Sequence, residues 1–390
     1  YMGDWSSDVC SSDLPLGLTS SERAAFEATL RTSYERRIEI LILDMEQNTL
    51  ATVTHRLLDG QVVVDADAEV TRSASLTLLD PNHTLNFDTD SPDDGALFLD
   101  RMIRIHYCVH VPALDHWIEV PVFTGPVTSL SRDGAQLQIE AQGKESLARQ
   151  AVWNPYTKPK GAIVVDVVKD LMKRRAGENR FDLPTGTVRL TKAVTLPREA
   201  IVWDEAKKLA GSRGLWYDGR GWLRMQNPSA SPVFTFKPGD GGLVLTRPQI
   251  SFSSDDMKNV VSVTGGVPKG AKSAVRAVAH APSTHPLNHG RLGRNGVPRY
   301  LVEFVEDDTL TTSAQAQARA DALLEPLLLE TVQVQFDSMP VPHLEPFDVV
   351  SLRTDDFSTN FRVRQFTIPL VGGSPIWRSE ERRVGKECRS

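Results

Sequence analysis

The chain has 390 residues, 40% of them hydrophobic, and a formal net charge of −6. A mildly acidic balance argues against nucleic-acid binding as the main activity. Three cysteines make no disulfide framework, and no apolar run approaches the ~18 residues of a membrane span.

At the N-terminal end, DWSSDVCSSDL (residues 4–14) is rich in serine and aspartate and lacks the apolar stretch of a signal peptide. It resembles the translation of a sequencing adapter. RSEERRVGKECRS (residues 378–390) resembles the translation of the partner adapter, so residues 1–14 and 378–390 are expected to stand outside the fold. The first run carries three Asp and no base and the second five bases and three acids, which leaves the chain between them at −5. Cys10 and Cys388 lie in these runs, so only Cys108 remains, and a cysteine-based zinc site is not expected.

Residues 15–35 form an N-terminal segment whose spacing of Ala24, Phe26, Leu30 and Tyr34 predicts a helix. Strands follow. RIEILILD, QVVVDADAEV (residues 61–70), SASLTLLD, RMIRIHYCVHV, WIEVPVFTG and AQLQIEAQG all alternate, with Ala74, Leu76 and Leu78 inward on the third. Short alternating strands between turn residues predict a first barrel-like antiparallel β domain over residues 36–150. The period then changes. IVVDVVKDLMKRRAG and REAIVWDEAKKLAGSRG are helices with Gly177 and Gly211 as stops. LWYDGRGWLRM is a hairpin turned at Asp218–Gly221. These make a small α+β module over 151–235. Strands return over 236–375 as a second β domain, with a Gly-, Pro- and His-rich loop at 267–299 and a helix at 311–330 that turns Ala316, Ala320, Leu323 and Leu324 inward. The fold class is α+β and β-rich: two barrel-like antiparallel β domains with the α+β module between them.

Residue types capable of chemistry occur in several patterns. His106, Cys108 and His110 share one strand face with Arg104, as zinc ligands could. Ile103, Ile105, Tyr107, Val109 and Val111 fill the other face, so the polar set reads as the outer side of a half-buried strand. His280, His285 and His289 are loosely spaced in the 267–299 loop with no carboxylate nearby in sequence. DTDSPDDGALFLD places Asp88 and Asp90 like the first calcium ligands of an EF-hand, but Pro92 takes the third position and Asp93 stands where the turn Gly belongs. GGVPKGAKS misses the phosphate-loop spacing, because Ala271 separates Gly270 from Lys272. The pairs Asp255–Asp256 and Asp307–Asp308 lie in turn-like contexts. No nucleophile, base and oxyanion set assembles. The expectation is no catalytic residue, no cofactor and no metal.

The order of the pieces resembles the tail hub or minor tail proteins of long-tailed bacteriophages, especially those of actinobacterial phages. GQVVVDADAEVTRSASLTLLD, RMIRIHY and VPVFTGPVTSLSRDGAQLQIEAQGKESLARQ carry it in the first domain. WDEAKKLAGSRGLWYDGRGWLRM, MKNVVSVTGG and QAQARADALLEPLLLE followed by VQVQFDSMPVPHLEPFDVVSL carry it further on. The resemblance spans about 36–370 and leaves the loop at 267–299 unaligned. It implies a non-enzymatic virion tail component made in the host cytoplasm. It also implies a homotrimer whose two barrel-like domains per chain meet a six-fold tail tube. The implied partners are the tail tube, distal tail and tape-measure proteins, with no sequence-specific nucleic-acid binding and no membrane anchor. Two other classes remain open at this point: a tail-tip adhesin for host carbohydrate that uses the 267–299 loop, and a tail-associated cell-wall hydrolase.

Overall fold

The computed structural model describes residues 17–85, 97–211, 213–226, 231–252, 257–268, 270–307, 310–329, 332–355, 358–372 and 377–383. In chain order the elements are α1 (Ser20–Leu30), β1 (Arg36–Leu43), β2 (Thr49–Thr52), β3 (Leu57–Asp65), β4 (Arg72–Leu79), β5 (Met102–Val111), β6 (His116–Asp133) and β7 (Gln136–Gln142). Next come α2 (Glu145–Ala148), β8 (Tyr156–Lys158), α3 (Val164–Ala176), β9 (Phe181–Asp182), β10 (Val194–Leu196), α4 (Val202–Ala210), β11 (Gly214–Tyr217) and β12 (Leu223–Gln226). The remainder is β13 (Phe234–Phe236), β14 (Gln249–Phe252), β15 (Val260–Gly265), β16 (Arg276–His280), β17 (Val302–Asp307), α5 (Ser313–Leu329), β18 (Val332–Ser338), β19 (Val349–Arg353), β20 (Ser358–Pro369) and β21 (Trp377–Arg383).

Thirteen strands form one sheet along the path β14-β18-β21-β20-β3-β4-β7-β6-β5-β1-β2, with β19 and β13 branching from β20. The two β regions are therefore fused. Antiparallel β20 pairs with β3, setting Phe366 against Val64 and Ile368 against Val62. All four residues are buried in one core that spans both regions. No closed barrel forms among the described residues. β3 of the first region and β20 of the second pair with each other, so the two β regions form one continuous sheet.

Other differences from the sequence reading have local causes. β3 stops at Asp65 and does not run on to Val70, because the Asp65 carboxylate accepts the Asp67 N–H (2.9 Å) and turns the chain. β6 is 18 residues long. Its first half pairs with β5 and its second with β7, so the PVTSLSRD stretch beyond the expected strand is sheet as well. Trp377–Arg383 is a strand between β18 and β20, so the expectation that the C-terminal polar run stands outside the fold fails over 378–383. Sheet pairing engages backbone N–H and C=O groups and accepts a polar sequence. The run at 1–14, the calcium-like Asp88–Asp93 stretch, Asp255–Asp256, Asp308 and residues 384–390 lie outside the described residues.

Two smaller cores flank the sheet. In one, α3 and α4 pack with α2 and the β11–β12 hairpin around Leu171, Trp203, Tyr217 and Leu223. Gly177 ends α3 in the left-handed region (φ 70°), as its position predicts. In the other, α5 lays Ala316, Ala320, Leu324 and Leu328 on Val261 and Val263 of β15 and Ala277 and Ala279 of β16. Part of the expected 267–299 loop is thus strand β16. The turns after it are tied down by Asn259, whose side-chain amide donates to Arg299 O (2.9 Å) while its Oδ1 accepts Leu301 N (2.8 Å).

Candidate functional site

Where the first β region, the α+β module and the second β region meet, the contact is buried and charged. Arg72 opens β4 on the same face as Ala74, Leu76 and Leu78, so strand parity drives its side chain inward. It is 2% exposed. Its guanidinium donates to Val122 O (2.9 Å) of β6, to Tyr217 O (3.3 Å) of the β11–β12 hairpin and to the Glu345 carboxylate. Glu345 belongs to the 339–348 connection between β18 and β19. It also accepts the Trp216 indole N–H (3.0 Å) and the Gly219 N–H (3.4 Å). One ion pair thus ties three parts of the molecule that are far apart in sequence.

The hairpin tip is pressed onto β6. A Cβ at Gly219 would stand 1.9 Å from Pro121 O, so only glycine permits this approach. Thr124 of β6 donates to Gly219 O (2.9 Å), and Arg104 of β5 donates to Thr124 (3.1 Å) and to Gln47 (2.7 Å). Beside it, Lys144 pairs with Glu178 (2.6 Å), donates to Gly221 O (3.0 Å) and lies 5.1 Å from the Tyr217 ring centroid. Burial lowers the pKa of this ammonium, against the attraction of Glu178. Burial likewise raises Glu145, whose carboxylate accepts the Tyr217 N–H (3.2 Å). Asp348 accepts the Glu345 N–H (2.9 Å), and burial pushes its carboxyl up to about 7. Buried ion pairs add little net stability but fix relative orientation, because each alternative arrangement leaves a charge unpaired. The arrangement suits positioning: its charges are spent on backbone groups and on one another.

The sequence-derived candidates are dispersed. His106 faces Glu39 on β1, with Nδ1 3.0 Å from the carboxylate. His110 packs on Trp117, ring centroids 5.3 Å apart. Cys108 is buried, and its ligand atom comes within 4.8 Å of those of Glu39 and Glu119 in place of the two histidines. Arg37 occupies this cluster, donating to Glu119 (3.2 Å) and bonding the thiol, while burial pushes Cys108 up to about 11. Of the loop histidines, His280 and His289 meet (centroids 5.2 Å apart) and His289 stacks on Tyr300 (5.0 Å). His285 serves a turn instead, accepting the Leu287 N–H (3.2 Å) at Nδ1. Gly270–Lys272 lies in a turn closed by Ala271 N to Pro268 O (3.0 Å), and the next element is strand β16.

Sequence reasoning missed Arg72, Lys144, Glu178, Trp216 and Glu345. For Arg72 a signal existed, since a charge with the parity of Ala74, Leu76 and Leu78 must find a buried partner. Nothing local pointed to Glu345, 273 positions away.

No family model and no curated protein sequence matches the chain. Solved structures do. A tail protein from Neisseria meningitidis superposes with a TM-score of 0.61 at 13% identity, covering 90% of this chain and 96% of that one. A prophage tail protein from Shewanella oneidensis gives 0.59 at 11% identity, covering 90% and 98%. A prophage tail protein from Listeria monocytogenes gives 0.52 at 10% identity, covering 88% and 94%. The chain therefore has the fold of these tail proteins.

Proposed function

We propose that the protein is a structural, non-enzymatic component of a bacteriophage virion tail: a hub or minor tail protein that caps the tail tube and anchors the distal tail. The observation that carries this is the extent of the shared fold, which takes in 90% of this chain and nearly all of a tail protein from Neisseria meningitidis. The charged junction supports it. A hub must hold its parts at fixed angles against a tube, and Arg72 and Glu345 do that for three parts at once.

The proposed assembly is a homotrimeric ring with head-to-tail contacts, in which different surfaces of each copy meet. Two β regions per copy would then offer six sheet segments to a six-fold tube. The long sheet ends at β14 on one side and β2 on the other, and an unpaired edge is a ready template for a neighbouring chain. Immunogold labelling of intact virions tests the placement. Label at one end of the tail supports it; label along the tube, or none on the tail, overturns it.

A further inference from the structure

The back of the charged junction opens into a cavity of about 290 Å3 between α4, the β11–β12 hairpin and β20. Its lining is cationic in a chain that is acidic overall. Lys207 comes from α4, Arg213 from the turn before β11, and Arg362 and Arg364 from β20. Arg364 pairs with Asp67. Lys207 is exposed, 5.9 Å from the Trp203 ring centroid, and Arg213 donates to the thioether of Met225 (3.7 Å), a weak acceptor. The one carboxyl in the lining is Asp348, already engaged by the Glu345 N–H. Trp216 and Phe347 supply an aromatic wall, ring centroids 5.5 Å apart. Phe347 adopts φ 71°, a backbone region that a bulky side chain rarely occupies. Gly214 leaves room for its ring, since a Cβ there would lie 3.0 Å from Phe347 Cδ2. Strain of this kind persists only where the surroundings enforce it, and it concentrates at ligand clamps.

We propose that this cleft docks an acidic extended segment of a neighbouring tail protein. The identity of the partner rests on the tail reading; the chemistry of the cleft does not. Guanidinium groups present paired N–H donors that match carboxylates. The cavity falls at the lower limit of the ~300–1,000 Å3 typical of small-molecule pockets, so it fits one or two side chains better than a bulky ligand. The aromatic wall suits the aliphatic stem of glutamate.

The test uses the full chain and fluorescence anisotropy. The probes are a labelled Glu/Asp-rich peptide, its Gln/Asn counterpart and inorganic phosphate as competitor. The acidic peptide should bind, the neutral one should not, and added salt should weaken binding. Lys207→Gln with Arg213→Gln should weaken binding by about tenfold or more, while Lys192→Gln with Arg198→Gln, exposed positions outside the lining, should change it by less than about twofold. Lys207→Glu alone, at an exposed position that leaves the core intact, should weaken binding further than Lys207→Gln. Equal binding by both double variants, equal binding of acidic and neutral peptides, or displacement by phosphate at peptide-like concentrations would each overturn the proposal. Because the free chain is assayed, failure of ring assembly leaves this result standing, and the reverse also holds.

Discussion

Replacing Arg72 by alanine should be among the most damaging single changes outside the apolar core. The guanidinium holds the Glu345 carboxylate, Val122 O and Tyr217 O at once. Its loss strands a carboxylate that is 7% exposed, with only the Trp216 and Gly219 N–H groups left to it. Removing one partner of a buried pair costs about 3–5 kcal/mol. The two orphaned carbonyls do not add in full, since water can enter the space the side chain leaves. Glu345→Gln should cost less, about 1–3 kcal/mol, because an amide oxygen can still accept the indole N–H. The double variant should then cost less than the two singles together, with a coupling of at least about 1.5 kcal/mol. Urea unfolding followed by tryptophan fluorescence reads this directly, because Trp216 sits on Glu345. Single costs below about 1 kcal/mol, or additivity within about 0.5 kcal/mol, would refute the idea that this pair holds the junction.

Three further outcomes follow from other parts of the molecule. Gly219→Ala should cost more than about 2 kcal/mol in the same assay, since the new Cβ meets Pro121 O at 1.9 Å. Gly134→Ala, at φ 55° with open space around it, should cost only about 1 kcal/mol. His343 is packed edge-on against Phe26 and Phe234, and burial, helped by Arg23, depresses it from 6.5 to about 3. The unfolded chain then binds the extra proton between those values, so this residue makes stability fall as pH drops from 6.5 towards 3. Asp348, raised from 3.8 to about 7, acts the opposite way, its contribution being full below 3.8 and lost as pH rises towards 7. Unfolding midpoints against pH should therefore fall more steeply on the acid side in Asp348→Asn than in the parent, and an unchanged profile would contradict the assignment. Cys108, buried with its thiol pushed up to about 11, should resist thiol reagents at neutral pH until the chain is unfolded; rapid labelling of Cys108 itself in the native protein, located by peptide mass spectrometry apart from Cys10 and Cys388, would contradict that.

The alternating strands and both helix-stopping glycines were legible because side-chain period and backbone stereochemistry are local properties. QVVVDADAEV shows the limit. Alternation continued through Ala66 and Ala68 on paper, but the Asp65 side chain captured the Asp67 N–H and ended the strand. β16 was lost among Gly, Pro and His because RAVAH is short and its pairing to β15 is decided by α5 packing beneath it. β21 was lost because its run is polar in sequence, and its place in the sheet is set by pairing with β18 on one side and β20 on the other. The junction was invisible for a different reason. Its members are single charges on separate elements, and only the fused β3–β20 register brings Glu345 to Arg72. Likewise the cross-strand register, not spacing along β5, groups Cys108 with Glu119 and Arg37.

Cryo-electron microscopy of the protein assembled on its tail tube measures copy number, position and symmetry together. Three copies are expected in one ring at a single end of the tube, with the two β regions of each copy facing it. Copies repeated along the tube, a symmetry other than three-fold, or β regions that do not share one axis would contradict the hub.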